Sequence, residues 1–314
     1  MNEETAETAR LEEVLAKIGR SLDTFLEFTH PDPQQHPERW RQVLDQPLPE
    51  TGSGIDTVLR EICEQLIPNG AAISRPGFSA YITTSPTTAA LAASCAAMLA
   101  APQRQTLHAF NFLEELSLDW LAKLFQLPAG MKGIYSSGGS VANLVALGAA
   151  RQAMLEKAGI DPSADGISRQ CVIYASSETH HTIKRAAGVL GIGRNNVIDI
   201  ATDEGGRILC QALAERIDHD LARQRLPIAI VASAGTTNTG AIDPLYQMGQ
   251  LAREHGIWFH VDGAYGLPGI LDDRVKHLYK GLELADSVIV DSHKWLGAVT
   301  GVGATFVRDR DVLY

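Results

Sequence analysis

The chain has 314 residues, of which 45% are hydrophobic, and a formal net charge of −10 at pH 7. This length is enough for one large domain with an appended segment, or for two domains. The acidic balance argues against a protein that binds nucleic acid or an anionic membrane through a basic patch. The Ala-rich stretch at residues 87–101 is shorter than the ~20 residues that a membrane-spanning helix needs, so no membrane span is predicted.

Cysteine usage and the N-terminus indicate a reducing compartment. The four cysteines are scattered and none forms a CxxC pair, which argues against a zinc site or a disulfide framework. Residues 1–4 (MNEE) lack the basic region with which a secretion signal begins. We therefore expect a cytoplasmic protein.

Two amphipathic helices are predicted near the N-terminus. Apolar residues between positions 11 and 25 follow helical spacing, and a second such stretch covers residues 55–66. Helices with an apolar face and no core of their own must bury that face against the main body or against a second subunit. We expect residues 1–74 to form a helical dimerisation arm and residues 75–314 to form the large domain.

The large domain is predicted to be an α/β fold. Helices are expected at residues 87–100, 112–125 and 140–157, and β-branched strands at residues 171–175, 196–200, 228–233, 258–261 and 287–290. Strands that alternate with helices predict a mostly parallel sheet flanked by helices. Ligands of such sheets bind at the carboxyl ends of the strands, which is where a site is expected.

The last predicted strand leads to a lysine. Residues 287–297 (SVIVDSHKWLG) place Lys294 between His293 and Trp295 where the apolar run stops. Burial favours the neutral amine, which can attack a carbonyl to form a Schiff base. The alternative is a structural lysine whose ammonium extends into water.

A turn of small residues at 136–144 (SSGGSVANL) precedes a predicted helix. The free N–H groups and the dipole of a helix start attract phosphate. Gly138 and Gly139 would let the backbone approach the anion, and Ser140 adds a hydroxyl donor. The segment is neither a Walker A loop nor a GxGxxG motif, and taken alone it is explained more simply as a serine N-cap after a flexible turn.

Two histidines follow another strand end, in residues 174–186 (YASSETHHTIKRA). They are expected near the start of a helix, where the ring of His180 could stack on a heteroaromatic cofactor. The alternative is a helix capped by Thr179, with both histidines in solvent. No HExxH motif or matched carboxylate spacing accompanies them, so a metal site is not indicated.

A hydroxyl-rich loop is predicted at residues 234–244 (AGTTNTGAIDP), after the strongest strand. A hydroxyl in this position can hydrogen-bond the phenolic oxygen of a cofactor. The run is equally compatible with an ordinary turn.

A carboxylate ends the strand in residues 258–266 (WFHVDGAYG). Burying Asp262 there is costly unless it is paired, and a cationic ring nitrogen would be a suitable partner. Gly263 and Ala264 would let a flat ring lie against the backbone. A capping or metal-binding Asp is the alternative.

Together these features match the requirements of pyridoxal 5′-phosphate: a Schiff-base lysine, a phosphate cradle, a stacking imidazole and a carboxylate opposite a ring nitrogen. Their order, SSGGSVANLVAL, SSETHHTIKRA, AGTTNTGAID, FHVDGAYG and ADSVIVDSHKWLG, resembles that of the group II pyridoxal-phosphate-dependent amino-acid decarboxylases. This family includes the aromatic-L-amino-acid, histidine and glutamate enzymes. The resemblance extends from about residue 75 to the last residue. It implies a type I aminotransferase-like fold, an amino-acid substrate, and a homodimer whose N-terminal segment wraps the partner.

The resemblance also assigns roles to individual residues. Lys294 would bind the cofactor covalently, Asp262 would pair with the pyridine nitrogen, and His180 would stack on the ring; these three are the predicted catalytic residues. Thr236 would lie near the ring oxygen, and Ala264 would support the other face. The full predicted cofactor-binding set is Gly139 and Ser140 at the phosphate, together with Gly138, His180, Thr236, Asp262, Ala264, His293 and Lys294.

Two features depart from the family pattern. Asp291 stands where many members have Asn, and because a carboxylate cannot donate a hydrogen bond to phosphate, Asp291 is left out of the predicted set. Members continue beyond the position of Tyr314 into a mobile loop with a proton-donating tyrosine and into a C-terminal domain. We do not assign that tyrosine's role to Tyr314. We expect a longer chain or a second polypeptide to supply the remainder.

The expected reaction is decarboxylation of an L-amino acid to an amine and CO2. An aromatic substrate is favoured because aromatic residues (Phe78, Tyr81, His108 and Phe110) begin the large domain and no clear tail-binding arginine is present. Aromatic residues of this kind are more often plain core. The alternatives are an aminotransferase, an aldehyde-forming deaminase, or a cofactor-binding protein that is inactive.

Overall fold

The computed structural model describes residues 10–29, 37–76, 78–100, 108–309 and 311. Tyr314 and the side chain of His108 lie outside this part. The chain divides into two compact units, residues 1–85 and 86–314. This division lies C-terminal to the boundary at residues 74 and 75 that the change in composition predicts.

The first unit is helical. It contains α1 (Leu11–Phe25), α2 (Pro37–Leu44), α3 (Ile55–Glu61), a π-helical turn (Ile62–Leu66) and a 3-10 turn (Ala72–Ser74). Both predicted amphipathic helices are present, although the second becomes π-helical at Ile62. Phe25 is buried, and the guanidinium of Arg75 lies 4.5 Å from the centre of its ring.

The second unit is an α/β domain. Its helices are α4 (Thr88–Ala100), α5 (His108–Leu124), α6 (Gly139–Lys157), α7 (Thr182–Val189), α8 (Cys210–Ala222), α9 (Leu245–His255) and α10 (Ser292–Trp295). Its strands are β1 (Lys132–Ser136), β2 (Cys171–Ser176), β3 (Val197–Ile200), β4 (Leu226–Ser233), β5 (Trp258–Asp262), β6 (Ser287–Asp291) and β7 (Gly303–Val307). Short 3-10 helices lie at Arg194–Asn196, Leu267–Leu271, Lys276–Tyr279 and Leu282–Leu284.

The seven strands form one sheet in the order β1-β7-β6-β5-β4-β2-β3. The five strands from β6 to β3 in this order are parallel, whereas β7 is antiparallel to both of its neighbours. The predicted mostly parallel sheet is therefore confirmed, and the five predicted strands are all present. The sequence analysis did not predict β1 and β7. In β1, a Cβ on Gly133 would lie 2.7 Å from the ring of Phe306 in β7, so close packing requires a glycine at this position. A glycine weakens the sequence pattern from which a strand is predicted.

Apolar side chains cover both faces of the sheet. Alternate residues of β2 point to opposite sides: Val172 and Tyr174 belong to the core beneath α8 and α9, and Cys171 and Ile173 to the core beneath α6 and α7. Strands buried on both faces have continuous apolar sequences, which is why the central strands were predictable. No helix in the described ranges is long and apolar enough to cross a membrane.

The direction of the strands brings several loops to one edge. Since β7 runs antiparallel to β1 and β6, it begins where they end: Gly303 pairs with Ser136 on one side and with Asp291 on the other. The carboxyl ends of β1, β2, β4, β5 and β6 therefore meet at a single edge of the sheet.

One buried carboxylate fixes the loop that follows β4. Asp243 is 1% exposed and accepts hydrogen bonds from the backbone N–H groups of Ser233 (2.7 Å) and Ile208 (2.8 Å). It thereby joins the end of β4 to the segment that leads into α8. Burial raises the pKa of Asp243 from 3.8 to about 6.

We expect Asp243→Asn to lower the free energy of unfolding by about 1–3 kcal/mol at neutral pH, because its NH2 group would face a buried N–H donor. Urea denaturation measures this loss. The control is Asp199→Asn, which breaks a half-exposed pair with Lys184 and should cost at most about 1 kcal/mol.

The same carboxylate makes stability depend on pH. Its raised pKa means that the folded state binds the proton more tightly than the unfolded state. The resulting stabilisation is complete below about pH 4 and is lost as the pH rises through about 6. Asp243→Asn should remove this pH-dependent component of the stability. Equal losses of unfolding free energy in Asp243→Asn and Asp199→Asn would contradict the role given to Asp243.

Candidate active site

A cavity of about 370 Å³ opens at the carboxyl edge of the sheet. Its lining comes from the loops after β1, β2, β4, β5 and β6 and from the segment before β7. The structure brings all nine predicted cofactor-binding residues together here: Gly138, Gly139, Ser140, His180, Thr236, Asp262, Ala264, His293 and Lys294. Among the described residues, no group of three or more His, Cys, Asp and Glu side chains is placed to hold a metal ion.

Lys294 lies in α10, the single helical turn that follows β6. Its Nζ is 3.0 Å from Oδ2 of Asp291, and the two side chains are 22% and 2% exposed. Within the part of the chain that the structure describes, the other carboxylate oxygen, Oδ1 of Asp291, has no hydrogen-bond partner. A mostly buried amine that faces a cavity and has one carboxylate beside it is suited to bind a carbonyl group.

Asp262 is the last residue of β5 and is 7% exposed. Its Oδ2 accepts a hydrogen bond from the side-chain amide of Asn143 (3.0 Å), and its Oδ1 accepts one from the backbone N–H of Ala264 (3.1 Å). Two donors from different elements therefore fix the orientation of a buried anion at the cavity. The surroundings contain the partners that a buried carboxylate needs.

His180 lies in the turn before α7. The expectation that both histidines lie near the start of a helix is confirmed: α7 begins at Thr182, and His181 occupies the N-cap position without a side-chain cap. Thr179 does not cap the helix either, since its hydroxyl pairs with that of Ser176 at 3.2 Å. Burial lowers the pKa of His180, and the adjacent ring of His181, whose centre is 4.1 Å away, lowers it further.

The predicted phosphate cradle lies at the start of α6. The N-cap residue is Gly138, at a φ of 107°, and no side chain caps the helix, so the alternative of a serine N-cap is wrong. The backbone at this point packs tightly against β6: a Cβ on Gly139 would lie 2.5 Å from Oδ2 of Asp291. An uncapped N-terminus of a long helix that opens into a cavity is suited to bind an anion.

Thr236 organises its own loop as well as lining the cavity. Its Oγ1 accepts a hydrogen bond from the backbone N–H of Ala241 (3.1 Å) and lies 2.8 Å from the hydroxyl of Thr239. Gly235 beside it has a φ of 107°, and a Cβ there would lie 2.9 Å from Cα of Gly266. This glycine therefore lets the loops after β4 and β5 approach each other.

The residues present fit pyridoxal phosphate. The cavity offers an amine for the aldehyde, an uncapped helix N-terminus for the phosphate, a paired carboxylate for the ring nitrogen and a half-buried imidazole for the ring face. Asp291 is the exception, because its negative charge lies against Gly139 in the predicted phosphate cradle. Lys294 compensates for this charge in the structure.

The sequence analysis missed several residues of the site. Asn143, Thr182, Tyr265, Thr300 and Gly301 also line the cavity. A signal existed for the first of these, since Asn143 is a polar residue within the Ala- and Leu-rich face of α6, and it is 1% exposed. The others follow from the fold and have no comparable signal in the sequence.

We expect Asp291→Asn to bind pyridoxal phosphate about tenfold more tightly, because the variant removes a negative charge beside the phosphate cradle. A fluorescence titration measures the dissociation constant. Pyridoxal without phosphate should gain little affinity, and Asp272→Asn, an exposed position paired with Arg274, should leave both affinities unchanged. Weaker binding of pyridoxal phosphate by Asp291→Asn would show that the pair with Lys294 outweighs the repulsion.

Comparison with known proteins identifies a family and several relatives. Residues 37–314 match the family model described as the pyridoxal-dependent decarboxylase conserved domain. The chain is 35% identical to the L-2,4-diaminobutyrate decarboxylase of Rhizobium meliloti (84% of this chain, 52% of that protein). It is 36% identical to the aromatic-L-amino-acid decarboxylase of Bacillus atrophaeus (64% of this chain, 40% of that protein). The chain thus spans about half the length of the curated relatives it matches.

Solved structures show the same architecture. The glutamate decarboxylase domain of the diaminobutyrate-pyruvate transaminase and L-2,4-diaminobutyrate decarboxylase from Vibrio parahaemolyticus superposes with a TM-score of 0.88 at 28% identity, covering 98% of this chain and 69% of that one. The 4-hydroxyphenylacetaldehyde synthase of Rhodiola rosea gives a TM-score of 0.84 at 27% identity, covering 96% and 66%. These comparisons confirm the predicted fold and the pyridoxal phosphate cofactor. The chain belongs to the family of pyridoxal-phosphate-dependent amino-acid decarboxylases.

Proposed function

We propose that the protein containing this chain converts an L-amino acid to the corresponding amine and CO2. The observation that supports this most directly is the presence of Lys294 and Asp262 in one cavity at the strand ends of a decarboxylase-family domain.

Each residue contributes one physical effect in this proposal. Bound pyridoxal phosphate supplies an aldehyde that condenses with amines and a protonated ring that accepts the electron pair left by CO2. Lys294 would hold the cofactor through Nζ, and the uncapped start of α6 would bind its phosphate. The fixed carboxylate of Asp262 would keep a proton on a ring nitrogen placed against it. The half-buried ring of His180 would provide a flat surface.

An aromatic substrate is part of the proposal. Tyr265 lines the cavity, and its ring centre is 5.7 Å from that of Trp295, which is 57% exposed. No arginine occurs among the described lining residues, so no guanidinium is positioned there for an acidic side chain. The similarity to an aromatic-L-amino-acid decarboxylase is consistent with this preference, whereas other relatives are named for diaminobutyrate and aspartate.

We expect CO2 and an amine from the protein loaded with pyridoxal phosphate, fastest with aromatic amino acids in a panel that also contains glutamate, aspartate and diaminobutyrate. Asp262→Asn should lower kcat by about 10²-fold or more, because it removes the charge that stabilises the protonated ring. Asp272→Asn is the matched control. Release of CO2 from glutamate or aspartate alone would contradict the aromatic preference.

The nature of the product distinguishes a second candidate function. In a sequence alignment that covers 81% of this chain, it is 31% identical to the 4-hydroxyphenylacetaldehyde synthase of Rhodiola rosea. Aldehyde in place of amine would therefore favour an aldehyde-forming reaction, and a keto acid would favour aminotransfer. Chromatography of the products separates the three.

A homodimer and a cytoplasmic location are also proposed. Helix α4 is apolar, yet none of its residues is buried; Met98 and Leu99 are 80% and 65% exposed. Helix α5 exposes Phe112 (66%) and Trp120 (55%). Exposed apolar surface of this kind is typical of interfaces, and the N-terminal helical arm could contribute to the same dimer. All four cysteines are free, as expected in a reducing compartment.

We expect Leu99→Glu to convert a dimer into monomers, because burying the new carboxylate in an apolar interface is costly. Sedimentation velocity measures the change. Val189→Glu, which makes the same kind of substitution at an exposed apolar position of α7, should leave the dimer intact. A monomeric parent protein, or a Leu99→Glu variant that remains dimeric, would contradict an interface at α4.

A further inference from the structure

A continuous chain of hydrogen bonds connects β5 with the turn before α7. Its first links join Trp258 Nε1 to Ser287 Oγ (2.8 Å) and Ser287 Oγ to His260 Nδ1 (2.9 Å). The other nitrogen of His260, Nε2, is 2.9 Å from Asn143 Oδ1, and Asn143 Nδ2 is 3.0 Å from Asp262 Oδ2 and 3.2 Å from Thr182 Oγ1. The last link joins Thr182 Oγ1 to His180 Nδ1 (2.8 Å). We refer to these groups as the buried relay. All members except His180 are buried.

The carboxylate of Asp262 fixes the direction of the relay. A carboxylate oxygen can only accept, so the NH2 group of Asn143 faces Asp262 and its Oδ1 faces Nε2 of His260. An amide oxygen also can only accept, so Nε2 of His260 carries a proton and donates it to Asn143. Burial lowers the pKa of His260 below its usual value, so the ring has this one proton at neutral pH and Nδ1 is free to accept from the hydroxyl of Ser287.

The amide of Asn143 transmits this direction to two groups. Its oxygen accepts from His260, so its NH2 group must face Asp262 and Thr182. This NH2 group has two protons, and each has one acceptor. The carboxylate of Asp262 and the hydroxyl of Thr182 are therefore positioned by the same side chain.

Thr182 determines the proton position on His180. Its hydroxyl already accepts from Asn143, so its own proton is donated to Nδ1 of His180 (2.8 Å). The backbone N–H of Thr182 also points to Nδ1, at 3.4 Å. Two donors at Nδ1 leave Nε2 as the protonated nitrogen of a neutral ring. If His180 were an imidazolium, its Nδ1 would also carry a proton and would direct an N–H at Thr182. The threonine hydroxyl would then lose Nδ1 as its acceptor.

Charged neighbours of His180 act in both directions. Asp262 and Asp291 favour the imidazolium, whereas Lys294 and the ring of His181 oppose it. The two carboxylates would tend to draw a proton onto the ring as the pH falls. The relay opposes this tendency through hydrogen bonds rather than through charge.

We infer that Asn143 and Thr182 are positioning residues that orient the carboxylate of Asp262 and hold His180 as a neutral ring with its proton on Nε2. The catalytic consequence of this arrangement rests on the proposed function. A cationic imidazole stacked on a cofactor ring that Asp262 keeps protonated would be repelled by that ring. The buried amide of Asn143 thus keeps the positive charge on the cofactor's ring nitrogen and keeps the stacking ring of His180 neutral.

Nitrogen-15 NMR of the histidine-labelled, cofactor-free protein tests this inference, with His180→Gln identifying the resonances. We expect the parent protein to show an unprotonated Nδ1 on His180 between about pH 6 and 8. In Thr182→Val the tautomers should mix and the titration midpoint should rise by about one unit, which corresponds to the loss of one hydrogen bond to the neutral ring. Asn143→Ala should shift the midpoint in the same direction.

The control is Thr179→Val, which removes a hydroxyl that pairs with Ser176 in the same loop and should change neither property. A protonated Nδ1 in the parent protein would overturn the inference without any variant. An unchanged tautomer in Thr182→Val, or an equal shift in Thr179→Val, would also overturn it. Because the measurement needs neither cofactor nor turnover, a failure of the proposed decarboxylation would leave its outcome unaffected.

Discussion

The structure depends on one constraint: polar groups at the carboxyl edge of a sheet that is buried on both faces must find partners there. Six strands end at this edge, and the seventh begins there. A carboxylate at the end of β5 or β6 is too buried to be solvated, so each has a donor beside it: the amide of Asn143 in α6 for Asp262, and Lys294 in α10 for Asp291. The cavity is the space that remains between these pairs.

Asp262 and Asp291 show two different solutions to this constraint. Asp262 is held by an amide and a backbone N–H, both neutral, so its charge is available to a cationic ligand. Asp291 is held by Lys294, whose charge it compensates, and one of its oxygens has no partner. A ligand that binds the amine of Lys294 must also change the surroundings of Asp291, which links cofactor binding to this second carboxylate.

Much of the domain was predictable from local patterns. The central strands are buried on both faces, so their continuous β-branched runs identified them. The motifs at the strand ends, together with the family resemblance, named nine of the residues that line the cavity. Strand β1 was missed because Gly133 is required by packing against Phe306, a residue far away in the sequence. Asn143 and His260 were not assigned because their roles come from a contact across 117 positions of the chain. Local spacing contains no information about such contacts.

The proposed site depends on Lys294 as the residue that would hold the cofactor. A direct test is to incubate the protein with pyridoxal phosphate, reduce it with borohydride and map its peptides by mass spectrometry. Reduction makes the bond between the amine and the cofactor permanent. We predict a pyridoxyl group on the peptide that contains Lys294, and its loss in Lys294→Ala. Labelling of other lysines in preference to Lys294, or equal labelling of the parent protein and Lys294→Ala, would contradict the account.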